Sequence, residues 1–127
     1  MIGAVAAMAV LLALLPPAGA DGRAGDPRRG KAAFQKCYAC HALEPGKNDL
    51  SGPTLHRILG RRVASERFDY SPALRALAKR SPRWDEALLD RYIADPEAVA
   101  PRTSMNFHGL RDRRERADLI AYLRRAR

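Results

Sequence analysis

The chain has two cysteines, both in the run Cys37-Tyr38-Ala39-Cys40, and the next residue is His41. A C-x-x-C pair has three common chemistries. A thioredoxin-like dithiol belongs beside a βαβ pattern, and the sequence shows none. A structural zinc site needs four ligands, and the two remaining histidines, His56 and His108, form no second paired knuckle. Haem attachment uses the histidine as well: each thiol can form a thioether with one vinyl group of a porphyrin, and the adjacent imidazole is carried under the iron as an axial ligand. The pattern therefore predicts one covalently bound haem c, attached through Cys37 and Cys40 with His41 on the metal. It also precludes a disulfide framework, because both thiols are used.

The length of 127 residues predicts a single domain. Residues 1–20 read as a signal peptide: Met1 to Leu15 is uninterrupted apolar sequence, Pro16-Pro17 breaks it, and Ala18-Gly19-Ala20 is a small-residue cleavage site. An uncleaved anchor is the competing reading, but the apolar run is shorter than the ~20 residues a spanning helix needs. The expected organisation is thus 1–20 as signal peptide and 21–127 as the folded domain, exported to the periplasm. The formal charge of +9 lies wholly after residue 20 and favours acidic protein partners or anionic surfaces. Nucleic acid is not expected, since the arginines are scattered and no DNA- or RNA-binding motif is present.

Helical periodicity dominates the remainder. Asp26-Pro27 reads as an N-cap followed by proline at the first helical position, with Gly30, Ala33, Phe34 and Cys37 at helical spacing up to the cysteine motif. Ser71-Pro72 opens a second helix with Leu74, Leu77 and Ala78 facing inward. Trp84 or Asp85 begins a third, in which Leu88, Leu89, Tyr92 and Ile93 form a stripe ended by Asp95-Pro96. A last helix spans about Asp112 to Arg125 with Leu119, Tyr122, Leu123 and Ala126 on one face. Residues 42–70 and 96–110 have no sustained period and read as irregular. No stretch alternates at period two, so the fold class is all-α. A loop as long as 42–70 in so small a domain needs something to order it, and a buried haem would do so.

Three side chains could supply the sixth iron ligand: Met105, His56 and His108. Met105 sits in the proline-bounded loop Pro101-Arg102-Thr103-Ser104-Met105, but a lone methionine is also a common core filler, and spacing leaves the choice open.

Several further motifs occur in order: Gly30 and Phe34 as G-x-x-x-F before the cysteine motif, Gly52-Pro53-Thr54-Leu55-His56, then Gly60-Arg61, Tyr70 and Trp84, then the Met105 loop with Gly109-Leu110, then Asp118-Leu119-Ile120-Ala121-Tyr122-Leu123. With these, residues 25–125 resemble a bacterial class I (mitochondrial-type) cytochrome c. The resemblance implies a small all-α cytochrome c fold, about four helices and long loops wrapped around one haem, and a monomer that is not an enzyme. The implied function is that of a soluble one-electron carrier alternating between Fe(II) and Fe(III). Implied partners are a quinol-oxidising cytochrome bc complex, a terminal oxidase, a photosynthetic reaction centre or a periplasmic dehydrogenase, with membrane contact only through them. A second reading is a haem c subunit or electron-accepting partner of a periplasmic oxidoreductase.

The resemblance also implies residue roles. His41 and Met105 would ligate the metal. The Pro53 carbonyl would accept a hydrogen bond from the other ring nitrogen of His41. Arg61, Tyr70 and Trp84 would meet a haem propionate, and Tyr92 and Thr103 would lie near the Met105 sulfur or an inner propionate and tune the potential. Gly30 would let the first and last helices cross closely against Tyr122 or Leu119. His56 would fix its loop, and His108 would be at the surface. The chain departs from the pattern at Arg102, where the family usually has glycine, and at Leu74, where many members have asparagine. Leu50, Glu97, Ser104 and Asp112 stand where mitochondrial members carry docking lysines, which leaves Lys36, Lys47, Arg57 and Arg111 as candidates around the haem edge.

Overall fold

A computed structural model describes residues 24–126; the expected signal peptide, residues 1–20, lies outside the described residues. The helices are α1 (Pro27–Ala33), α2 (Pro72–Arg80), α3 (Glu86–Ala94), α4 (Pro96–Val99) and α5 (Arg113–Arg125), with one turn of 3₁₀ helix at Phe34–Lys36. Every α-helix begins at a short polar cap. Asp26, Ser71, Asp85, Asp95 and Asp112 each accept from a backbone amide of the first turn, and proline follows directly at α1, α2 and α4. The same device explains α4, which the sequence reading left irregular. Asp95 ends α3, then its carboxylate accepts from Ala98 N at 3.1 Å, and Pro96 presets the next turn.

The predicted inward faces appear where helical spacing put them. Leu74 and Leu77 of α2 and Leu88, Leu89, Tyr92 and Ile93 of α3 are buried; Ala78 is only half-buried. On α5 the buried residues are Asp118, Leu119, Ile120 and Leu123, whereas Tyr122 is half-buried and Ala126 caps the end. The buried apolar side chains among these join Phe34, Ile58, Val63 and Trp84 in one core, and each fully buried leucine contributes roughly 1.5–3 kcal/mol.

The close crossing of α1 on α5 frames the core. A Cβ on Gly30 would fall 1.9 Å from the Asp118 carbonyl oxygen and 2.6 Å from Tyr122 Cβ, so only glycine permits this approach. One turn on, the Phe34 and Tyr122 rings lie 5.6 Å apart. Asp118, 4 % exposed, ties the crossing together: its carboxylate accepts from Asp26 N at 2.7 Å and from Arg29 Nε and Nη2 at 2.7 and 3.0 Å. The Arg29 guanidinium beside it holds the Asp118 carboxyl below the usual carboxylate range.

The segment 42–70 is irregular, as expected, yet tightly held. Thr54 is fully buried, and its hydroxyl donates to Glu44 O at 2.7 Å. Gly60–Val63 runs antiparallel to Pro82–Trp84 through Gly60 N to Trp84 O (2.7 Å), Trp84 N to Arg61 O (2.9 Å) and Val63 N to Pro82 O (2.9 Å). This yields an isolated bridge between Arg62 and Arg83, and no named strand occurs among the described residues. No helix among them is long and apolar enough to cross a membrane.

Candidate functional site

The cysteine motif continues the 3₁₀ turn as a coil of tight backbone bonds. Cys37 N and Tyr38 N donate to Phe34 O at 2.8 and 3.1 Å, and Cys40 N and His41 N both donate to Cys37 O at 3.0 Å. At this winding, positions i, i+3 and i+4 share a side. Cys37, Cys40 and His41 accordingly line one wall region of a cavity of about 430 Å³.

His41 is held by its neighbours. Its Nδ1–H donates to the Pro53 carbonyl at 2.7 Å, which leaves Nε2 as the nitrogen with a free lone pair. A Cβ on Gly52 would fall 2.4 Å from the ring, so glycine is what lets the backbone cradle it. Burial, opposed by the Pro53 contact, pulls the His41 pKa down, keeping the imidazole neutral and able to bind a metal. The Cys37 thiol is pushed up to about 11 by burial. A dithiol redox centre needs the opposite, a stabilised thiolate. Among the described residues no three His, Cys, Asp or Glu side chains gather as a group that could hold a metal ion.

All ten residues expected at the site line this cavity: Cys37, Cys40, His41, Pro53, Arg61, Tyr70, Trp84, Tyr92, Thr103 and Met105. They come from sequence positions far apart, so their convergence is a result of the fold. Arg61 is anchored from behind. Its Nη1 and Nη2 donate to His56 O and Thr54 O at 2.8 and 2.9 Å, and Glu66 stands 3.4 Å away. Its Nε is buried without a partner. The Tyr70 hydroxyl accepts from Glu66 N at 3.2 Å, and the Trp84 ring lies 5.1 Å from that of Tyr92. The Tyr92 and Thr103 hydroxyls are 3.0 Å apart, and Thr103 Oγ1 also accepts from Met105 N at 3.4 Å. The methionine loop is therefore fastened to α3 by this hydroxyl pair and, further along, by Leu110 N donating to Ile93 O at 2.8 Å.

Arg102 adopts φ 63°, the left-handed conformation that a glycine would take without strain, and its amide donates to Glu97 Oε1 at 2.9 Å. The turn forms despite the side chain, at a cost of roughly 1–2 kcal/mol. Leu74 lines the cavity with its apolar side chain. Of the four basic residues considered for the haem edge, only Lys36 lines it, with its ammonium paired to Glu115. Lys47 pairs with Asp49, Arg57 borders a separate hollow with Leu59, Leu123 and Arg124, and Arg111 lines neither. His56 places its carbonyl on Arg61 and lines neither hollow, and His108 is exposed.

Sequence reasoning did not find Leu55, Ile58, Phe68 and Phe107, which also line the cavity. They lie in irregular segments where no period marks an inward face; the only signal was large apolar residues in otherwise polar loops. The cavity suits a haem by its own chemistry: a largely apolar lining, two thiols and an imidazole on one turn, a thioether nearby, and a buried guanidinium nitrogen lacking an acceptor.

A family model described as cytochrome c matches residues 27–127. The chain is 40% identical over 101 residues to a cytochrome c2 from Rhodomicrobium vannielii, covering 79% of this chain and 78% of the relative. It is 36% identical over 116 residues to a cytochrome c2 from Blastochloris viridis, covering 91% and 86%. Among solved structures, cytochrome cH from Methylobacterium extorquens is similar with a TM-score of 0.70 at 35% identity, over 78% of this chain and 97% of the other.

Proposed function

The chain belongs to the cytochrome c family, and from that premise we propose a soluble carrier that passes single electrons between redox complexes in the periplasm. One haem c is bound covalently through the cysteine pair, and when bound it supplies an iron that alternates between Fe(II) and Fe(III). The convergence of Cys37, Cys40, His41 and Met105 on one apolar cavity, with His41 Nδ1 committed to Pro53, carries this reading.

The protein's residues set the conditions for that exchange. The Cys37 and Cys40 sulfurs would anchor the group, and His41 Nε2 and the Met105 sulfur would be the donors that hold its iron. The Pro53 carbonyl fixes the His41 tautomer and strengthens it as a donor. Arg61, Tyr70 and Trp84 would receive a propionate, which would give the orphaned Arg61 Nε the acceptor it lacks. The Tyr92–Thr103 hydroxyl pair holds the methionine loop. A soft thioether donor would favour the ferrous state, and an iron held by both His41 and Met105 would be closed to oxygen. No residue makes or breaks a substrate bond.

Export through residues 1–20 is supported by the apolar run from Met1 to Leu15 and the Ala18-Gly19-Ala20 site. The partners are a quinol-oxidising cytochrome bc complex on one side and a terminal oxidase, reaction centre or dehydrogenase on the other. Net charge of +9 favours acidic docking faces on them. The test combines visible spectra in both oxidation states with a carbon monoxide titration of the ferrous protein. A pyridine haemochrome of the two-thioether type and no carbon monoxide binding at neutral pH are expected. Pigment extracted by acid-acetone, or rapid carbon monoxide binding, would overturn the reading.

A further inference from the structure

The loop that carries Met105 hangs between two stems. Upstream, Thr103 N donates to Ala100 O at 2.9 Å, and the Thr103 hydroxyl meets that of Tyr92. Downstream, Gly109 passes so close to α3 that a Cβ on it would fall 2.1 Å from Ala94 O, and Leu110 is buried. Between the stems, residues 104–109 make no hydrogen bond to a helix among the described residues. The reach of Met105 is therefore decided at the two ends.

One side chain grips the downstream end. Arg116 of α5, whose side chain is 12 % exposed, donates from Nη1 to Leu110 O and to Arg111 O, both at 3.0 Å. Its other edge faces Asp90 of α3: Nε donates to Oδ1 at 2.7 Å and Nη2 to Oδ2 at 3.5 Å. A guanidinium is a planar fork, so a carboxylate on the Nε–Nη2 edge turns Nη1 the opposite way, onto the two carbonyls. Asp90 itself lines neither hollow. Without it, a guanidinium held mostly out of water loses its countercharge, and it recovers hydration only by leaving the carbonyls. We propose that Asp90 is a positioning residue for the Met105 sulfur: through Arg116 it fixes the downstream stem and so limits how often the sulfur leaves the iron. The inference rests on Met105 as an iron donor, as given under the proposed function.

The test titrates the haem-loaded ferric protein with imidazole, which competes with the Met105 sulfur. The far-red charge-transfer band of thioether-bound ferric iron is followed together with exchange of the Leu110 amide. Apparent affinity scales with the fraction of molecules open to the competitor. Asp90→Asn raises it about tenfold, the factor of one charge-assisted hydrogen bond, and speeds Leu110 exchange. Asp90→Glu, which keeps the charge, stays near wild type. Arg116→Gln raises the affinity as well, and adding Asp90→Asn to it changes nothing further, because both act through one contact. Asp26→Ala removes the α1 cap and lowers overall stability, but leaves imidazole affinity unchanged. Unchanged affinity in Asp90→Asn, even with faster Leu110 exchange, overturns the proposal. So does additivity in the double variant or an equal rise in Asp26→Ala. A wild-type protein without the far-red band fails at the earlier step: it removes Met105 from the iron, and this inference with it.

Discussion

Gly30→Ala sets two opposing effects against each other at the α1–α5 crossing. Helix propensity alone favours alanine by about 1 kcal/mol in a helix interior. The new methyl group would sit 1.9 Å from the Asp118 carbonyl oxygen, about 1.5 Å short of ordinary contact at 3.4 Å. That oxygen is backbone and cannot swing aside, so α1 and α5 must separate. Separation stretches the Asp118 bonds to Asp26 N and Arg29 and loosens the Phe34–Tyr122 contact. Overpacking costs typically 1–3 kcal/mol, and weakening a bond to a charged group roughly 1.5–3 more. The clash wins, with a net loss of about 2–4 kcal/mol, or roughly 10–20 °C in Tm for a domain of this size. Guanidinium unfolding of the haem-loaded protein, followed by far-UV circular dichroism, measures it. A Gly30→Ala protein as stable as wild type would refute the reasoning, because it would mean the crossing has slack that the distances deny.

Other perturbations read other parts of the molecule. Met105→Ala should open the iron to carbon monoxide or cyanide and lower the midpoint potential, both visible in the absorption spectrum; unchanged ligand binding would remove Met105 from the metal. The Asp118 carboxyl is depressed by Arg29 and the Asp26 amide, so its stabilisation is present above the unfolded value near ~3.9 and fades as pH falls through the lower folded value. Asp118→Asn should therefore lower stability at pH 7 and flatten its fall below about pH 4, read as the slope of unfolding free energy against pH. Thr103→Val removes the hydroxyl shared by Tyr92 and Met105 N; a loss of about 1 kcal/mol is expected, together with a shift in potential. An unshifted potential would mean that the pair is purely structural.

What could be read from the sequence divides by the range of the interaction. The cysteine motif, the capped starts at Asp26-Pro27 and Ser71-Pro72, and the α3 stripe of Leu88, Leu89, Tyr92 and Ile93 are local patterns, and local geometry decides them. The ten site residues were named from spaced motifs and family resemblance, and they meet at one cavity. Burial of Asp118 was not legible, since its partner Arg29 lies 89 positions earlier and a carboxylate in an amphipathic helix ordinarily faces water. Leu55, Ile58, Phe68 and Phe107 were missed because irregular backbone offers no repeat from which to project a face. The turn at α4 was missed because one residue, Asp95, both ends α3 and starts α4.

The unsatisfied Nε of Arg61 bears on how this molecule comes into being. The guanidinium is pinned to the carbonyls of Thr54 and His56, so the long loop and the hollow it borders stand or fall together. Until an acid group meets that nitrogen, the segment carries a buried donor that only water could satisfy. Attachment of the pigment would then be the event that closes this part of the chain.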